Sequence, residues 1–138
     1  MAIETVNPAT GMTVKSFPAL GDDEVEARIA RGHATFATYR RTTFAQRAAW
    51  MCAAADLLDA EKHDIAATMT LEMGKTRRSA VAEAEKCAKG MRFYAEHAEA
   101  FLADEPLADP ASVGASRAYA TYQPLGVVLA AILLVIAP

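Results

Sequence analysis

The stretch Leu125–Ala137, LGVVLAAILLVIA, restricts the fold of this chain more than any other feature. Val127, Val128, Ile132, Val135 and Ile136 within it are β-branched. Such side chains are stiff about their first torsion and suit a pleated surface, so Val127–Ile136 reads as a strand. With no polar residue alternating along it, both faces must be covered, as in parallel sheets held between helices. A strand of that kind needs neighbours, and no later segment of the chain supplies them, so the rest of the sheet is missing or comes from another chain. Spanning a bilayer takes about 20 apolar residues, and this run is shorter, which makes a membrane the weaker reading.

The residues before it predict a hairpin and four helices. Ile3–Val6 and Met12–Phe17 flank Asn7-Pro8-Ala9-Thr10-Gly11, a cluster of turn formers, and together predict a small N-terminal hairpin. A first helix is expected over Asp23–Tyr39, with Asp23 and Glu26 as a capping box and Val25, Ile29 and Phe36 on one face. A second begins at Thr43, capped with Gln46, turns Trp50, Ala54, Leu57 and Leu58 inward and ends near Ala60. A third, Lys62–Met73, carries Ile65, Met69 and Met73 on one stripe and stops at Gly74. The fourth, Thr76–Leu102, spaces Val81, Ala84, Ala88, Met91, Ala95, Ala98 and Leu102 helically before Pro106 and Pro110 break the pattern. Ala115–Gln123 then alternates, which predicts a strand with one wet face.

Composition excludes several classes of function. Hydrophobic residues make up 53% and charged residues 22% of the 138, so disorder is not the default. A net charge of −3 argues against a phosphate-binding surface and hence against nucleic acid. The N-terminus MAIETVNPATG has no basic stretch followed by an apolar one, so no secretory signal is read there. Cys52 and Cys87 therefore read as reduced cytosolic thiols in helix interiors, packing residues rather than nucleophiles.

The remaining candidates for chemistry each have a plainer reading. Gly74-Lys75-Thr76 looks like the end of a phosphate-binding loop, but the signature needs a glycine where Met69 stands and a strand before the loop. A helix–turn–helix junction with Gly74 as terminator explains it instead. His33, His63 and His97 are dispersed without metal-ligand spacing. Glu83/Glu85 and Asp22/Asp23 read as a solvated helix face and a helix start, and Arg40-Arg41 and Arg77-Arg78 as surface charge.

Five segments, in order, resemble the aldehyde dehydrogenase superfamily. Asn7-Pro8-Ala9-Thr10-Gly11 resembles its opening turn. Tyr39-Arg40 with Arg47 and Ala55-Asp56-Leu57-Leu58 is similar to its first long helix pair, and Leu71-Glu72-Met73-Gly74-Lys75-Thr76 through Ala82-Glu83 resembles its Glu-x-Gly-Lys segment. Phe93-Tyr94-Ala95-Glu96-His97 looks like the end of the following helix in bacterial succinate-semialdehyde dehydrogenases. Tyr122-Gln123-Pro124-Leu125-Gly126-Val127-Val128 matches the lead-in to the first strand of the cofactor sheet. The resemblance covers residues 3–132 and then fails: the family continues with Pro-Trp-Asn-Phe-Pro, whereas Leu133-Leu134-Val135-Ile136-Ala137-Pro138 stand here.

The resemblance implies an incomplete α/β fold. Residues 1–114 would be the hairpin and helical part of the cofactor-binding domain, residues 115–124 a strand of the oligomerisation sheet, and residues 125–138 the first core strand of the dinucleotide-binding sheet. In the family a thiolate attacks the aldehyde, donors hold the oxyanion, hydride passes to the nicotinamide and a glutamate-activated water cleaves the thioester. The family's oxyanion asparagine, dinucleotide-binding lysine and glycines, glutamate base and cysteine nucleophile have no counterpart here, and neither Cys52 nor Cys87 matches the nucleophile motif. The expectation is thus no catalytic, cofactor-binding or metal residue in this chain, and no activity from it alone. For the complete enzyme the resemblance implies a small aldehyde substrate such as succinate semialdehyde, NADP or NAD as cofactor, and a cytoplasmic location. Self-association is expected of the chain itself, and no cofactor, nucleic acid or membrane. The alternative is a non-enzymatic helical module that docks through its apolar C-terminal strand.

Overall fold

A computed structural model of the chain describes residues 3–128. Its elements in order are β1 (Ile3–Val6), β2 (Thr13–Phe17), α1 (Asp22–Tyr39), α2 (Phe44–Met73), α3 (Arg77–Phe101), β3 (Glu105–Pro106), a 3-10 turn (Pro110–Val113) and β4 (Tyr119–Ala120). Antiparallel pairing joins β1 to β2 and β3 to β4.

The expected hairpin forms, and its turn is built by Asn7. The Asn7 carbonyl accepts from the amides of Thr10 and Gly11 at 3.2 and 2.8 Å, and its side-chain Oδ1 accepts from Ala9 N–H at 2.9 Å. A short amide that bonds backbone two residues ahead is why asparagine initiates turns. Register slips between Thr5 and Val6, where the hairpin is bulged.

The second and third expected helices are one. α2 runs unbroken for 30 residues through the expected junction at Ala60–Lys62. Asp59-Ala60-Glu61-Lys62 contains no glycine or proline, and two of these residues are tied to the neighbouring helix, so nothing ends the helix there. Its ends follow expectation: Thr43 and Gln46 form a reciprocal capping box, and Gly74 closes the helix in the left-handed conformation at φ 69°. The first helix departs in its cap. α1 starts one residue early, at Asp22, with bare Gly21 as N-cap, so Asp23 sits inside the first turn and forms no capping box with Glu26. There Asp22, Asp23 and Glu24 complement the positive end of the helix dipole instead.

α2 and α3 pack side by side along a seam of alanines. The fully buried side chains among the described residues are Ala55, Ala66, Ala80, Ala84 and Ala88. Ala80, Ala84 and Ala88 recur every four residues, forming one ridge of small side chains that lets the two backbones approach closely. The stripe expected to face inward on α2 is therefore misplaced by one position. Trp50, Ala54 and Leu57 face outward, Trp50 at 52% and Leu57 at 62% exposure, because Ala55 holds the contact line. Beside the seam, Arg92 of α3 reaches Asp56 at 2.6 Å and Asp59 at 2.8 Å, and Lys62 reaches Glu85 at 2.6 Å. α1 buries none of its residues and meets α2 through a stack of Tyr39 on Trp50 at 6.0 Å.

Within the expected strand Ala115–Gln123, Tyr119–Ala120 alone is paired, against Glu105–Pro106. Alternation makes a segment fit for a sheet, but a ladder extends only as far as a partner edge does, and Pro106 has no N–H to donate. Leu125–Val128 carries no strand pairing, with Leu125 at 96% exposure, and the remainder of the expected strand Val127–Ile136 lies outside the described residues.

The seam makes α3 intolerant of bulk on one face. Ala84→Leu should cost about 1–3 kcal/mol by overpacking. Ala82→Leu, on the exposed side of the same helix, should stay within about 0.5 kcal/mol. Thermal melts followed by helical circular dichroism check the pair; equal melting temperatures would dissolve the seam.

Candidate functional site

The α2–α3 junction carries the segment that looks like a phosphate loop, and its atoms are already engaged. A Cβ on Gly74 would meet the Pro8 ring of the hairpin turn at 3.0 Å, so a glycine is required both for the left-handed backbone and for this approach. The Lys75 ammonium pairs with the Glu83 carboxylate, the two side chains only 10% and 20% exposed. The Thr76 hydroxyl accepts from Ser79 N–H at 3.3 Å as the N-cap of α3. Glycine, lysine and threonine thus lock the hairpin onto the helix pair. They do not fit a dinucleotide phosphate, which would need the lysine free and the glycine uncovered.

The other candidate residues do not converge. Cys52 is half-buried on α2, Cys87 is exposed on α3, and neither is in a disulfide. His97 stacks between Phe93 at 4.4 Å and Phe101 at 5.9 Å, with its Nδ1 2.8 Å from the Phe93 carbonyl, so that nitrogen donates to the helix backbone in one tautomer. Among the described residues no group of three or more His, Cys, Asp or Glu side chains is placed to hold a metal ion. Among the described residues, too, no helix is long and apolar enough to cross a membrane.

What the sequence did not point to is a cleft of about 150 Å³ between the first turns of α2 and the last turns of α3. Phe44, Arg47 and Met51 line it from one side, and Tyr94, Ala98 and Leu102 from the other. It exists because Ala48, Ala95 and Ala98 leave space where larger side chains would meet. Helical spacing alone marks Ala95 and Ala98 as interior and cannot show that they under-fill their site.

The β3–β4 pair is clipped by the Tyr122 hydroxyl, which donates to the Glu105 carboxylate. That hydrogen bond, and then the negative charge beside it, raise the Tyr122 phenol above its ordinary value of 10.0. A phenol raised on folding adds stability that is whole below the ordinary value and vanishes as pH climbs through the raised one. In a phenolate absorbance titration, Tyr122 should therefore ionise late, and Glu105→Gln should bring it back toward its ordinary value. An unchanged titration curve would mean the clip does not hold in solution.

Comparisons with known proteins follow the same outline. The family model described as "Aldehyde dehydrogenase family" matches residues 1–133. The succinate-semialdehyde dehydrogenase [NADP(+)] 1 of Mycobacterium tuberculosis strain H37Rv is 68% identical over 130 residues, covering 94% of this chain. The chain spans 28% of that relative's length. In three dimensions it superposes on Gox0499, described in terms of its cofactor and substrate selection, with a TM-score of 0.84 at 30% identity, covering 91% of this chain and 27% of that one. It also superposes on a Streptococcus pyogenes succinic semialdehyde dehydrogenase solved with NADP+, with a TM-score of 0.76 at 26% identity, over 84% of this chain and 25% of the other. With a family match running almost end to end, and with three helices and a docked hairpin that reproduce the N-terminal region of that fold, the chain belongs to the aldehyde dehydrogenase family.

Proposed function

We propose that these residues form the hairpin and helical part of the cofactor-binding domain of an NADP-dependent succinate-semialdehyde dehydrogenase, and that the reacting groups lie elsewhere in the polypeptide. The observation that carries this reading is 68% identity, sustained over 94% of the chain, to enzymes named for that substrate and cofactor. The complete enzyme would oxidise the aldehyde to the acid while reducing NADP in the cytoplasm. This part would contribute scaffold: no residue of it is assigned a catalytic, cofactor-binding or metal role.

The packing supports a role as part of something larger. Burying one methylene is worth about 0.8 kcal/mol, so five alanine side chains supply a few kcal/mol of hydrophobic stabilisation. Several larger apolar residues are left largely uncovered: Ile29, Trp50, Leu57, Tyr94 and Phe101 are each more than half exposed. Exposed ion pairs such as Arg92–Asp56 add little to that sum. Apolar area of this kind gains by being covered, and a segment spanning 28% of its relatives' length leaves most of a homologous polypeptide to do so.

Two measurements test the reading. Purified alone, the chain should produce no reduced nicotinamide from NADP and succinate semialdehyde, against turnovers on the order of 10 per second for ordinary enzymes. Mixed with a polypeptide supplying the rest of a close homologue, it should restore aldehyde-dependent reduction. Turnover by the chain alone, or binding to the complementary polypeptide without any activity, would refute the assignment, the second outcome favouring a non-enzymatic docking module.

Self-association is the other expected outcome. Leu125, Val127 and Val128 are 96%, 52% and 70% exposed, and uncovered apolar segments pair with their own copies. Light scattering at tens of micromolar should report particles larger than a monomer, reduced by removal of residues 127–138. A monodisperse monomer indifferent to that truncation would count against it.

A further inference from the structure

We propose that the cleft between the start of α2 and the end of α3 is a socket for a polypeptide segment that presents an apolar side chain beside a carboxylate. The proposal rests on the reading above for the source of that segment, the remaining dehydrogenase polypeptide, but its chemistry follows from the cleft itself.

Three observations define the occupant. The cleft holds about 150 Å³ within apolar walls, room for one side chain and well below the few hundred Å³ of a typical small-molecule site. Its lining leaves Tyr94 at 58% and Leu102 at 44% exposure, apolar surface of the kind that flanks a protein-binding anchor. Among the described residues the one charged group lining it is Arg47.

Arg47 is the residue that fixes the charge of the partner. Its guanidinium lies 4.5 Å from the centre of the Phe44 ring, and its Nε is buried without a hydrogen-bond partner. Among the described residues no carboxylate is within ion-pair distance of it. It also stands at the first turn of α2, where the helix dipole disfavours a cation and favours an anion. A carboxylate entering the cleft would neutralise the guanidinium and face the positive helix end at once.

The probes are acetyl-Leu-Glu-Leu-amide and its glutamine counterpart, titrated at low salt into the full chain carrying isotope-labelled methionine methyl groups. The Met51 methyl resonance should shift with the glutamate peptide at about tenfold lower concentration than with the glutamine peptide. Arg47→Met should erase that preference and Arg47→Lys should retain most of it, with helical circular dichroism confirming that each variant is folded. Should Arg47→Met fail to fold, loss of the glutamate preference at high salt in the unaltered chain takes its place. Equal affinities for the two peptides, a preference that survives Arg47→Met or high salt, or shifts that spare Met51 would overturn the proposal. So would hexanoate binding as well as the peptide, which would make the cleft a small-carboxylate site. None of these results depends on enzyme activity, so failure here leaves the complementation experiment to judge the family role separately.

Discussion

The contact on which the rest of the structure depends is the alanine seam between α2 and α3. Ala55 and Ala66 on one helix and Ala80, Ala84 and Ala88 on the other are buried while, among the described residues, no larger side chain is. Small residues on both sides bring two helix backbones close and fix their relative position by shape, since a single added methylene on the ridge has nowhere to go. The remaining features of the helix pair attach to that line. Arg92 and Lys62 bind carboxylates across it, one level apart, and the junction at Gly74 turns the chain sharply enough to bring α3 back antiparallel to α2.

The hairpin is positioned by the same pair of helices. Pro8 rests on Gly74, and the neighbouring Lys75–Glu83 pair braces the first turns of α3, so a turn near the N-terminus is joined to a turn some 65 residues later. The Gly-Lys-Thr triplet thereby acquires a structural meaning in place of a phosphate-binding one. Its lysine is held by an anion of the protein itself, and its glycine is where two turns touch. Contacts of this kind explain why a short motif names a chemistry only when its surroundings leave the motif free.

A seam made of methyl groups also determines what the molecule leaves outside. Alanine secures close approach at the expense of hydrophobic gain, so several aromatic and branched side chains, Ile29, Trp50, Leu57, Tyr94 and Phe101 among them, remain more than half exposed. On α3 they form a ladder of Phe93, His97 and Phe101, and at the α2–α3 end they border the cleft that holds Arg47. Such surface belongs to a fragment of a larger core more readily than to a finished domain.

The sequence by itself determined the hairpin turn at Asn7–Gly11, the capping box at Thr43 and Gln46, the stop at Gly74, the span of α3 and the family. These are local chemistry or long-range likeness, and neither requires knowing which faces meet. Tertiary structure decided the rest. It holds two expected helices as one through Asp59 and Lys62, which pair with Arg92 and Glu85 on the neighbouring helix. It moved the buried line of α2 from Trp50, Ala54 and Leu57 to Ala55 and Ala66, because a close-packed pair selects small residues over the most hydrophobic ones. It shortened the strand at Ala115–Gln123 to two residues, because a ladder forms where a partner edge exists and not where alternation merely permits one. Periodicity states which residues can share a face; what that face will meet is fixed by the shape and reach of another element, and no window of sequence contains it.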